Sequence, residues 1–176
     1  MDNLLDVIKI SYQTKFIQSQ LQKWADENDG VAEIADDLEE MWRIAFNRSS
    51  SPRCIIAYLG EDIIGDDASS EFIGRIERHF GVLVSSGKGY TPKRGDQLVE
   101  IVGNSKPFYD LLEEARDVIR VLQFDRRVIM FPIKYKSMKP ALPADAPMNA
   151  YMIEFSLICQ QRMVYQTEDS RINVDV

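Results

Sequence analysis

The chain has 176 residues, 45% of them apolar and 28% charged, which predicts one domain with a sizeable core and excludes a disordered or fibrous polypeptide. Its 21 basic and 28 acidic side chains give a net charge of -7, a field that repels phosphate backbones and argues against tight sequence-specific nucleic-acid binding. The start, Met1 to Asp6, lacks a basic n-region and a continuous apolar run, no stretch approaches the roughly 20 apolar residues of a membrane span, and a cytoplasmic protein is expected.

In chain order, Leu4, Leu5, Ile8, Tyr12, Ile17, Leu21 and Trp24 recur mostly at steps of three and four, predicting a long amphipathic helix from Asp2 to about Trp24, with Asp2 or Asn3 able to cap it. Asp26 to Gly30 breaks it, Gly30 tolerating positive φ and Asp29 able to cap the next element. Val31, Ile34, Leu38, Met41, Trp42 and Ala45 predict a second helix. Its Glu33, Asp36, Asp37, Glu39 and Glu40 read first as a solvated face and second as a contact for a basic partner. After a turn at Asn47–Pro52, Arg53–Leu59 predicts a short buried strand and Gly60–Ser70 a surface loop. Alternation from Phe72 to Val84 predicts a long strand.

Ser85–Gln97 is a glycine-rich loop, locally basic through Lys88, Lys93 and Arg94. A helix is predicted beyond it, capped by Asn104 or Ser105 with Pro107 in its first turn, burying Leu111, Leu112, Ala115, Val118, Ile119 and Leu122. Arg127–Lys136 and Asn149–Met163 read as a hairpin-like strand pair joined by the proline-rich loop Ser137–Met148, the second arm being central in its sheet and the first, with Pro132, at an edge or a bulge. The expected fold class is α+β: a mixed or antiparallel sheet of four to five strands packed by helices, opened by an N-terminal helical pair. One domain covers residues 1–164, and 165–176 form a polar tail.

Nothing in this pattern requires covalent chemistry. A nucleophile–base pair needs partners in reach, and the one histidine, His79, falls on a strand face with Arg75 and Glu77, where a half-exposed strand position is the simpler account than a general base. Cys54 and Cys159 lie in apolar runs, typical of buried thiols, although their spacing leaves a disulfide open; with one histidine they do not supply a zinc ligand set. Gly87-Lys88-Gly89 is followed by Tyr90-Thr91-Pro92 rather than by a helix, so it cannot aim amides and a lysine at a phosphate. No catalytic residue, cofactor or metal is expected. Lys88, Tyr90, Lys93, Arg94 and Lys139, on the two distinctive loops, are the candidate contact residues, facing other subunits or a partner.

The layout of Cys54–Leu59, the long strand running into Gly87-Lys88-Gly89-Tyr90-Thr91, the helix Pro107–Leu122, and the closing strands with Phe131-Pro132-Ile133-Lys134-Tyr135 and Tyr151-Met152-Ile153-Glu154-Phe155 resembles the tail terminator, or tail completion, proteins of long-tailed bacteriophages. The resemblance spans roughly Pro52 to Val164. It implies a structural virion protein, made in the host cytoplasm, that forms a hexameric ring, caps the tail tube and meets the head-completion or connector protein, while DNA passes through the lumen without specific binding. Another neck or connector ring protein is the nearest alternative, and a small cytoplasmic enzyme with a carboxylate site is the alternative from a different class.

Overall fold

Ile17, Leu21, Trp24 and Ala25 fall on one stripe of the first helix, α1 (Ile10–Glu27), and are fully or almost fully buried. A computed structural model of the chain describes residues 9–46, 51–64, 73–86, 106–122, 133–141 and 149–162. After α1 come β1 (Val31–Ala35), α2 (Leu38–Ala45), β2 (Arg53–Ile64), β3 (Ile73–Ser85), α3 (Phe108–Arg120), β4 (Lys134–Pro140) and β5 (Ala150–Arg162). The strands form one mixed sheet in the order β1-β2-β3-β5-β4, parallel only between β1 and β2, so the fold is α+β.

Strand alternation divides the core in two. Cys54, Ile56, Phe80, Val82, Val84, Ile153, Phe155, Leu157 and Cys159 point to the face covered by α1 and α3. There the Trp24 indole N–H donates to the Leu111 carbonyl at 3.0 Å, locking the two helices together. Ile55, Ala57, Leu83 and Ala150 point to the other face, where Met41 and Ala45 of α2 meet them. This second face is covered by α2 over β1 and β2. Glu61, Arg78 and Gln13 tie α1 to the first face: Arg78, 5% exposed, donates to Glu61 at 3.1 Å and to the Gln13 carbonyl at 3.0 Å. Gln13 in turn donates to the Cys159 sulfur at 3.1 Å.

Several sequence expectations change. The predicted second helix is a strand followed by a helix. Val31–Ala35 pairs with Arg53–Ala57, and the helix begins only where the Asp37 carboxylate accepts the Glu40 amide at 2.7 Å while Glu40 accepts the Asp36 amide at 2.6 Å. The N-terminal helical pair is therefore replaced by α1, β1 and α2. Positive φ falls on Asp29 rather than on Gly30. Gly30 is needed for another reason: a Cβ there would lie 2.7 Å from the Pro52 carbonyl oxygen, which also accepts the Val31 amide. The predicted loop at Gly60 is strand as far as Ile64, reached through a bulge at which Gly60 takes φ 112. Pro107 is the N-cap of α3 rather than a residue of its first turn. Ser137–Pro140, expected in a loop, belongs to β4. Cys54 and Cys159 are both free and buried. The long strand from Phe72 and the closing strand from Asn149 stand as β3 and β5, with β5 central between β3 and β4.

Candidate functional site

β4 occupies the end of the sheet, with β5 on one side and no strand on the other among the described residues. Lys134, Tyr135, Lys136, Lys139 and Pro140 are exposed along it. A short, lysine-rich strand is how a sheet edge stays soluble while keeping unpaired amides and carbonyls available. A register shift between Tyr135 and Ser137 makes Lys136 the extra residue of a bulge, which turns its side chain toward β3.

There Lys136 joins a chain of polar contacts across four strands on the α2 side of the sheet. Its Nζ lies 2.8 Å from His79 Nδ1 and 3.3 Å from Glu77 Oε1. His79 Nε2 lies 2.7 Å from Asp62, and the buried Ser156 hydroxyl donates to Glu77 at 2.6 Å. An ammonium can only donate, so His79 Nδ1 accepts, and Nε2 carries the proton that goes to Asp62. Ser156, followed by Lys136 and the charge of Lys134, holds the Glu77 carboxyl below the ordinary carboxylate range, although partial burial opposes them.

The arrangement is a poor nucleophile site. Ser156 is fully buried, and its acceptor on this face, Glu77, is a carboxylate made less basic by its neighbours. The side chains are already matched donor to acceptor, which suits a fixed surface. On the opposite face, burial first and then the Glu61 charge push the Tyr58 phenol up to about 12, so it stays a neutral hydrogen-bonding group. Burial likewise raises Cys54 and, against the Gln13 bond, Cys159, leaving both thiols protonated. Among the described residues no group of three His, Cys, Asp or Glu is placed to hold a metal ion, and no helix is long and apolar enough to cross a membrane.

A groove of about 490 Å³ lies between α1 and α3, floored by Trp24, Val118 and Leu122 and rimmed by Glu27, Glu114 and Asp117. Glu114 is engaged at its edge by Lys106, at 2.8 Å, and by Asn28.

Of the candidate contact residues, Lys139 lies on the exposed edge strand rather than on a loop. Lys88, Tyr90, Lys93 and Arg94 lie outside the described residues, as do Arg127–Pro132 and the tail from Tyr165. His79 has the half-exposed strand position expected of it, its side chain 23% accessible, with Glu77 beside it on the same face. Sequence reading missed Asp62 and Lys136 as its partners, because Asp62 falls in the segment expected as a loop, beyond the bulge between Tyr58 and Gly60, and Lys136 is itself the extra residue of a bulge. Compared with known protein families and with curated proteins, the chain matches none.

Proposed function

We propose that the chain is a structural virion protein, a tail terminator whose copies form a ring, hexameric by the family resemblance, that caps the tail tube and joins it to the head-neck connector. The observation that carries this reading is β4, an exposed edge strand whose outer side is free of strand partners among the described residues. Such an edge offers main-chain donors and acceptors to another chain. The subunit works by shape: it occupies the docking surface of the last tube ring and denies it to the next tube subunit. The acidic composition suits a lumen through which DNA slides without being held.

Microscopy of purified tails at the head-proximal end tests the placement. One ring of this protein between tube and connector is the expected image. Tails that carry none of it there, or that carry it along their length, contradict the reading.

A further inference from the structure

The two edges of the sheet carry opposite charge. At one edge β4 presents Lys134 and Lys139, with Lys136 between them turned to Glu77 and His79, and no carboxylate lies between Lys134 and Pro140 in the sequence. At the other, the segment from β1 into α2 presents Asp36, Asp37, Glu39 and Glu40, against which Arg43 is the cation of the same helix, paired with Glu40 at 2.9 Å.

The strand register places these two patches at the same height. Ala35 is opposite Ala57, Ala57 opposite Gly81, Gly81 opposite Glu154, and Glu154 opposite Ser137. Asp36 therefore leaves the sheet on the level at which Ser137 crosses the far edge, with Lys136 beside it. The patches also share a side. Lys134, Ser137 and Lys139 are opposite Ser156, Glu154 and Met152, the β5 positions that face the α2 layer. The acidic patch includes exposed apolar surface as well, at Leu38 and Phe46, whereas Tyr135 of β4 is opposite Phe155 and faces the other side of the sheet.

From this we infer that the basic β4 edge of one copy docks against the acidic β1–α2 edge of the next, copy after copy in one direction. The inference rests on the terminator reading and names its subunit contact. A patch that meets a different patch of an identical chain makes a head-to-tail contact, which closes into a ring when the rotation allows. Side-by-side placement needs no slide along the strands to bring the charges together. A two-fold contact through either patch would instead set lysines against lysines or carboxylates against carboxylates, which repel.

Charge reversal at each edge tests the contact. One variant carries Lys134→Glu with Lys139→Glu; the other carries Asp36→Lys with Glu39→Lys, sparing the capping residues Asp37 and Glu40. All four positions are exposed, so folding is expected to survive, and circular dichroism checks it. Mass in solution is then read by light scattering over a concentration series. Each variant alone should need about tenfold more protein, or greater, to associate than the parent chain. A chain carrying both reversals should associate as the parent does, because the charges again oppose. Variants that assemble like the parent, or a doubly reversed chain that does not recover, overturn this contact and leave the terminator reading standing. A parent chain that stays monomeric at every concentration, alone and with tail-tube protein, overturns both.

Discussion

At Glu77 a hydroxyl and an ammonium converge on one carboxylate oxygen, and this decides how the open side of the sheet responds to acid. The folded state holds this carboxyl below its ordinary value, so the ionised form contributes stability that is complete above about pH 4.3 and is lost as pH falls through the lower folded value. Glu77→Gln removes the titrating group. The parent chain is expected to melt higher than this variant at neutral pH, with the difference shrinking as pH is lowered through the carboxylate range. A difference in melting temperature that stays constant with pH would contradict the assignment. The sequence placed Glu77 and His79 on one strand face correctly. Asp62 and Lys136 could not be placed beside them, because a single bulge residue inverts the phase of every later residue in the strand.

Among the elements, α2 shows how a short helix is fixed by its first turn. It has eight residues, too few to be stable alone, and Asp37 supplies an acceptor to the Glu40 amide. Asp37→Ala should cost about 1 kcal/mol, read as a lower urea midpoint with an unchanged slope. An unchanged midpoint would show that the cap contributes nothing. The same residues explain why the second helix was drawn too long from sequence. Val31, Ile34 and Leu38 satisfy a helical stripe, yet Val31–Ala35 pairs with β2, and parallel pairing is a tertiary outcome that local spacing does not report. The Asp37-x-x-Glu40 spacing was the available signal for a later start. β3 and β5 were legible because alternate positions, Phe80, Val82 and Val84 on one and Ile153, Phe155, Leu157 and Cys159 on the other, share one core face. The β2 continuation past Gly60 was hidden by acidic residues that resemble loop composition, although Ile63 and Ile64 come directly after them.

For the whole molecule, composition and alternation were enough to read α+β, whereas the order β1-β2-β3-β5-β4 depends on which edges meet. That order is what sets the lysines of β4 and the carboxylates around α2 at opposite ends of one sheet, a polarity invisible in a linear charge count. It also sets Lys139 on the basic edge strand rather than on the loop that first marked it. The proposed ring of this chain stops a polymer from growing, and tube length measures that directly. Purified chain is added at rising molar ratio to tail-tube protein polymerising in solution, and the length distribution is read by electron microscopy. Tubes are expected to shorten as the ratio rises, with the chain found at their ends. Tubes that reach the same length at every ratio, with the chain left free in solution, would contradict the terminator reading.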